Sequence, residues 1–301
     1  MLYAIAGLAF GTAIPQPCTP APAAPAPPHP LFLWKVTGGK GTVFLLGSLH
    51  AAKADFYPLP RPIEAAFAQS AVLVEEIDLV RQDPAHLRRM VLEKGLYPPD
   101  DRLDNHISAE TKHALQKYLK RTGQDPATFS RMKPWLVAVL VGGAVVASDG
   151  ISSKYGIDEH FAREAAATHK RLGALESARS QLDLLSNLPA PLQEAMLLSS
   201  LRDAQQGERE IATLLDAWRS GDAKPIEELI ARDEREYPRL KPVYDVLLPA
   251  RNRRMVEKIA AYLATPNTYF VVVGVGHLVG EHSIVDLLRD RRYAVERVGA
   301  E

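Results

Sequence analysis

Two stretches of the chain share one pattern: an apolar run, a G-x-x-H motif, a helix-like stretch and a second apolar run. In the first stretch the run Val43–Leu46 leads into Gly47–His50, and in the second the run Tyr269–Val273 leads into Gly274–His277. Short apolar runs joined by helical stretches are typical of parallel strands. The pattern predicts two β-G-x-x-H-α-β units whose strands end at one sheet edge, where open α/β sheets bind ligands.

The rest of the chain is mostly helical in pattern. Residues 83–130 and 191–263 show helical spacing, and the apolar run 134–147 is too short to span a bilayer comfortably, which favours a buried helix. The runs 31–36 and 42–46 flank a glycine-rich turn and predict a β-hairpin. Together these elements predict an α/β fold, with a mixed sheet flanked by helices and a large helical insertion.

Composition excludes several classes of function. The chain has 36 basic and 36 acidic residues, so its formal net charge is zero and we expect no nucleic-acid partner. A single cysteine excludes an internal disulfide and a thiolate metal cage. The chain also lacks a G-x-S-x-G motif, a Walker loop, a dinucleotide fingerprint and a zincin H-E-x-x-H motif.

The first 30 residues predict export. The start is almost wholly apolar and Gly11–Ala13 offers small residues for signal cleavage, although the usual basic residues are missing and a disordered tail is the alternative. Residues 15–30 are mostly Pro and Ala, which favours an extended linker. Cys18 could carry a lipid anchor, although its context is poor. We expect a signal-like segment and linker over 1–30, a domain over 31–301, a periplasmic or cell-envelope location, and no transmembrane helix in the mature chain.

Acidic side chains close two further apolar runs. Glu75, Glu76 and Asp78 follow one run, and Glu176 follows another. We expect Glu76, with Asp78 as its partner, to face the site and Glu75 to lie at the surface. The alternative is that these residues are helix caps or exposed loop residues. Asp158 is placed to cap a helix.

The histidines and glutamates form a candidate site for a divalent metal. Imidazole with carboxylate suits zinc, manganese or cobalt, and such a metal lowers the pKa of bound water towards neutrality. We expect His50, His277 and Glu176 as ligands, Glu76 as the general base, and the two motif glycines in support. A lone G-x-x-H motif also occurs for structural reasons, and the repetition in matched units is what favours a functional role.

The motifs resemble those of the TraB/PrgY/GumN family, and most closely its GumN-like bacterial branch; the family is similar to the Tiki metalloproteases. The resemblance runs from about Leu31 to Val298 and rests first on the two G-x-x-H motifs. The further motifs are Glu76–Asp78, Met132–Trp135, Gly156–Asp158, Leu175–Glu176 with Gln181, and Arg251–Asn252.

The resemblance implies a fold like that of erythromycin esterase and the haem-binding ChaN proteins, with a site built from the two motif histidines and strand-end glutamates. It implies metal-dependent peptide cleavage, as in Tiki proteins. TraB and PrgY relatives are linked to peptide-pheromone shutdown, which fits either cleavage or sequestration.

Two functions stay open on this sequence. The first is an exported metal-dependent hydrolase, expected to be a peptidase, that acts on a peptide or another small molecule. The second is a non-catalytic peptide- or ligand-binding protein. Arg251 and Asn252 are either an exposed surface pair, or Arg251 pairs with a carboxylate or the charged end of the substrate, with Asn252 in support.

Overall fold

The computed structural model describes residues 29–78, 82–146, 150–204 and 207–299, and its centre is a six-stranded sheet. The predicted signal-like segment, most of the Pro/Ala tract and Cys18 lie outside the described residues. The strands are β1 (Pro30–Thr37), β2 (Thr42–Ser48), β3 (Val72–Glu75), β4 (Arg171–Ala174), β5 (Thr268–Gly274) and β6 (Ala294–Gly299).

The sheet is mixed, with the strand order β4-β3-β5-β2-β1-β6. The four strands β4, β3, β5 and β2 run parallel, whereas β1 is antiparallel to both of its neighbours. The α/β class and the mixed sheet are as predicted, and so is the hairpin of β1 and β2, whose turn contains Gly38 at a φ of 110°. The carboxyl ends of four parallel strands therefore meet at one edge.

The two G-x-x-H strands lie side by side. β5 is inserted between β2 and β3, so the strands of the first unit are not neighbours. In the parallel pairing of β2 with β5, Gly47 faces Val273 and Ser48 faces Gly274. The two motifs are therefore one residue out of register, and both histidines leave the sheet at the same place.

Helices flank the sheet and build the insertion. The predicted buried helix is present: Trp135 and Val137 are fully buried. Within the described ranges, every helix falls short of the length and hydrophobicity that a bilayer crossing requires. The helices are Arg61–Gln69, Pro84–Gly95, Ala109–Thr122, Pro126–Phe129, Pro134–Val146, Ile157–Ala167, Ala178–Ser186, Ala190–Asp203, Gly207–Ser220, Lys224–Glu236, Lys241–Leu247, Pro249–Leu263 and Ile284–Asp290.

Two hydrophobic cores meet where β3 ends. The first surrounds the strands and contains Val74, whereas the second lies among the helices and contains Ile77. Ile230 packs against both cores. Glu75 and Glu76 therefore lie where the chain passes from one core to the other, and the apolar surroundings strengthen electrostatic interactions there.

Candidate active site

The second motif holds a buried, neutral imidazole. Beyond β5, a 3-10 turn over Val275–His277 carries the ring into the interior, where His277 is 2% exposed. The amide Nδ2 of Asn252 donates to the carbonyl of His282 at 2.9 Å, so its Oδ1 is the atom that lies 2.5 Å from Nδ1 of His277. Because an amide oxygen only accepts, Nδ1 carries the proton and Nε2 carries the lone pair.

The surroundings of His277 keep it uncharged. Burial, helped by the nearby guanidinium of Arg251, lowers its pKa to about 3 against the opposing effect of Glu76. Its Nε2 lies 3.7 Å from Oε1 of Glu76. A lone pair therefore faces a carboxylate oxygen, an arrangement that a cation between the two atoms would stabilise.

The first motif holds its histidine against a different partner. The N–H of Ile157, at the start of a helix, donates to the carbonyl of Leu49 at 2.9 Å, and a Cβ on Gly156 would lie 2.5 Å from the carbonyl oxygen of His50. This close approach lets Asp158 accept from Nδ1 of His50 at 3.0 Å. The prediction that Asp158 caps the helix is wrong, because its carboxylate contacts the imidazole and the N-cap residue is Gly156.

Asp158 makes His50 more basic. Burial lowers the pKa of His50, but the charge and the hydrogen bond of Asp158 outweigh it and raise the pKa to about 9. The His50 side chain is 18% exposed, yet its Nε2 is buried and has no hydrogen-bond partner among the described residues. A carboxylate that binds one ring nitrogen typically orients a histidine whose other nitrogen binds a metal.

Arg251 joins the two strand-end glutamates in one buried cluster. The arginine is 1% exposed, its Nη2 donates to Oε2 of Glu76 at 2.5 Å, and its Nε donates to Oε2 of Glu176 at 2.8 Å. Gln181 donates through Nε2 to the same two oxygens, at 3.2 and 3.1 Å. Because Arg251 and Asn252 are both buried, the interpretation of an exposed surface pair is wrong.

The buried cluster carries more negative than positive charge. Burial raises the pKa of the Glu76 carboxyl, but Arg251 and the N–H of Gly274, which donates at 2.7 Å, help to hold that pKa well below its usual range. One guanidinium thus serves two carboxylates. Oε1 of Glu176 is buried without a hydrogen-bond partner in the described part of the chain, and the exposed Arg254 approaches it only to 3.7 Å.

Glu75 is buried, so the prediction that it lies at the surface is wrong. It is 6% exposed, because β3 lies inside the sheet and all four of its residues are covered. Burial, with the charges of Asp158 and the half-buried Asp78, raises the pKa of its carboxyl well above the usual range. Glu75 lines a cavity of about 20 Å³ together with His50 and Glu76.

The free atoms of the site fit a divalent metal by their chemistry. Nε2 of His50 and Oε1 of Glu176 are buried without hydrogen-bond partners among the described residues, and Nε2 of His277 carries a lone pair. These are donor types that zinc, manganese and cobalt accept. Within the described ranges, however, no group of three or more His, Cys, Asp or Glu side chains is arranged to hold a metal ion. The three ligands stay a prediction.

Residues that sequence reasoning did not assign complete the site. Asp158 and Gln181 were part of motifs that carried the family resemblance, but neither had a role in the predicted site. Both orient a predicted residue: Asp158 binds His50, and Gln181 bridges the two glutamates. The position of Asp158 and Gln181 within those motifs was the sequence feature that could have indicated a role in the site.

Comparison with known proteins gives one family. The family model described as the TraB/PrgY/gumN family matches residues 32–297 of the chain. The uncharacterized protein YbaP of Escherichia coli (strain K12) is 26% identical over 245 residues, which cover 81% of this chain and 87% of YbaP.

More distant relatives are named as metalloproteases. The Metalloprotease TIKI homolog of Nematostella vectensis is 22% identical over 324 residues, covering 90% of this chain and 67% of that protein. Metalloprotease TIKI2 of Danio rerio is 25% identical over 320 residues, covering 88% of this chain but 60% of its own length. No solved structure matches the chain.

Proposed function

The chain belongs to the TraB/PrgY/gumN family, and on that premise we propose that it is a metal-dependent hydrolase whose substrates are peptides. The observation that carries the proposal is that a side chain from outside each motif orients the histidine of that motif. Each has its Nδ1 held by an acceptor, Asp158 for His50 and Asn252 for His277. Nε2 of His50 has no hydrogen-bond partner among the described residues, and Nε2 of His277 carries a lone pair. The metalloprotease names of the Tiki relatives support the same class of reaction.

His50, His277 and Glu176 would hold the metal, which when bound polarises a carbonyl group and increases the acidity of water. The chain's own residues would do the rest. Asn252 fixes the tautomer of His277, and Asp158 orients the ring of His50. Arg251 holds both glutamates in place.

We assign Glu76 as the acceptor of the proton that water loses. Its carboxylate is ionised at neutral pH, and its Oε1 lies 3.7 Å from Nε2 of His277. Because the pKa of Glu76 is lowered, it is a weaker base than an ordinary glutamate. The gain from general-base catalysis is then expected at the lower end of the usual range, at about 10²-fold in rate.

The proposal is tested with a mixed library of synthetic peptides and mass spectrometry. Protein loaded with zinc, manganese or cobalt should cleave some of the peptides, and chelation should abolish cleavage. Glu76→Gln should lower the rate about 10²-fold while metal stays bound. His113→Ala, which changes an exposed histidine, is the matched control and should behave as wild type. If Glu76→Gln cleaves as fast as wild type, the assignment of the base is wrong.

A peptide-binding protein without turnover is the second candidate. It is favoured by the engagement of both strand-end carboxylates by Arg251 and by the lack, within the described residues, of a ready metal cluster. Peptide binding by isothermal calorimetry, without cleavage under any of the three metals, would decide for this function.

We also propose that the protein is exported to the periplasm or cell envelope, because its first residues are apolar and are followed by a Pro/Ala tract. Cys18 is the candidate residue for a lipid anchor in this segment. Cell fractionation with mass spectrometry of the N-terminus tests both. An intact chain in the cytoplasm that retains Met1 would contradict export.

A further inference from the structure

A second, larger cavity opens beside the two motif histidines. Its volume is about 80 Å³, and His50 and His277 both line it. We call it the apolar cavity, because most of its wall is aliphatic. The apolar residues of the wall include Ile211, Leu214, Ile226, Leu229, Leu248 and Val275.

The wall is fixed to the first motif. Two helices supply most of its aliphatic residues, Gly207–Ser220 and Lys224–Glu236. The indole Nε1 of Trp218, on the first of these helices, donates to the carbonyl of Gly47 at 2.8 Å in a buried hydrogen bond. This hydrogen bond fixes the position of the wall relative to the two histidines. A pocket that positions a substrate for cleavage requires such a fixed distance.

The chemistry and size of the apolar cavity restrict what can enter it. Glu210 is the carboxylate among the described residues that line it, and it already binds Arg232 at 2.7 Å, so a cationic group would find no free carboxylate there. An apolar cavity of about 150 Å³ takes up benzene. At about 80 Å³ this one suits a branched aliphatic group better than an aromatic ring.

We propose that the apolar cavity binds one branched aliphatic side chain of the peptide, Leu, Ile or Val, at a residue next to the bond that is cleaved. The inference rests on the proposed function, because it takes the two histidines as the place of cleavage. It adds the substrate class: peptides with a branched aliphatic residue at the cleavage site.

Two wall variants and a matched control test the proposal. Leu214→Phe and Leu229→Phe, on different helices, fill the cavity from half-buried positions. Leu92→Phe adds the same volume at a side chain that is 40% exposed. In the peptide library, wild type and Leu92→Phe should prefer Leu, Ile or Val over Gly at one position beside the cleaved bond. Both wall variants should lose that preference, with kcat/KM for such peptides falling by about 10- to 200-fold.

A binding measurement keeps this proposal separate from the hydrolase proposal. N-acetyl-leucinamide should shift the NMR methyl signals of Leu214 and Leu229 in wild type, whereas N-acetyl-glycinamide should not. If no peptide is cleaved but these shifts occur, the hydrolase proposal fails and the pocket stands. If peptides are cleaved without aliphatic preference and no shift occurs, the pocket proposal is overturned. Thermal unfolding shows that each variant is folded before it is compared.

Discussion

The two G-x-x-H motifs have the same spacing, but their histidines lie in different environments. His277 is 2% exposed, binds a neutral amide and has its pKa lowered to about 3. His50 is 18% exposed, binds the Asp158 carboxylate and has its pKa raised to about 9. Two equal motifs thus deliver one ring that stays neutral and one that holds a proton more tightly than a free histidine.

The difference shows what a short motif determines. The glycine and the spacing set where each ring leaves the sheet, because β2 and β5 are paired in parallel and end together. The partner of each ring comes from elsewhere in the chain: Asn252 from the helix before β5, and Asp158 from the helix before β4. Position is a property of the motif, whereas protonation is a property of the partner.

The largest loss of unfolding free energy is expected for a change at Arg251, which binds Glu76 beside His277. Arg251→Ala leaves two buried carboxylates without their guanidinium, and it should lower the free energy of unfolding by about 3–5 kcal/mol in urea denaturation. Arg253→Ala on the same helix changes an exposed side chain and should stay within about 0.5 kcal/mol of wild type. A loss below about 1 kcal/mol at Arg251 would show that the cluster is not a structural anchor.

The next effect is expected at the partner of His277. Asn252→Ala removes the acceptor of a buried N–H, so the free energy of unfolding should fall by about 1–3 kcal/mol. Asn187→Ala, at an exposed position, is the control. If Asn252→Ala is as stable as wild type, water has replaced the amide as the partner of Nδ1, and His277 is accessible to solvent.

A smaller loss of unfolding free energy is expected for a change at Gly47, the glycine of the first motif. A Cβ on Gly47 would lie 3.0 Å from Cγ2 and 3.2 Å from Cα of Val275, so Gly47→Ala should cost about 1–2 kcal/mol of unfolding free energy through overpacking. Gly276→Ala is the matched variant, because the first atom its Cβ would meet is Cδ2 of Leu248 at 4.0 Å. It should be neutral or slightly stabilising. Equal costs at the two glycines would contradict the described packing between the strands.

The smallest effect is expected at the partner of His50. The His50–Asp158 pair is about one-fifth exposed, at 18% and 21% for its two side chains, so water can reach the ring when the carboxylate is removed. Measured at about pH 10, above the raised pKa of His50, Asp158→Ala should therefore cost about 1 kcal/mol of unfolding free energy or less. Were Asp158→Ala to cost more than Asn252→Ala under the same conditions, the comparison between the two sides would be wrong.

The sequence was informative about strands and less so about side-chain partners. Apolar runs place His50, His277, Glu76 and Glu176 at strand ends, since strand ends depend on local pattern. The pairing of Asp158 with His50 follows from the seating of a distant helix on the motif, which Gly156 permits. The hydrophobic periodicity of each segment therefore does not indicate the contact between Asp158 and His50.

The order of strands was also beyond local pattern. The matched units predict that the strands end at one sheet edge but not their order. β5 separates β2 from β3, and this interleaving is what brings the two histidines together. Glu75 shows the same limit. In a strand covered on both faces, alternation no longer separates an inward from an outward carboxylate, so its burial could not be read from the sequence.

The measurement that tests the account most directly is the metal content of four purified proteins: wild type, His50→Ala, His277→Ala and the exposed control His113→Ala. Each is loaded with zinc, manganese or cobalt, dialysed and analysed for bound metal, with circular dichroism to show that it is folded. If one ion shares both rings, wild type and the control should each hold about one ion per chain, and both motif variants should lose most of it. Equal metal content in all four proteins would contradict it.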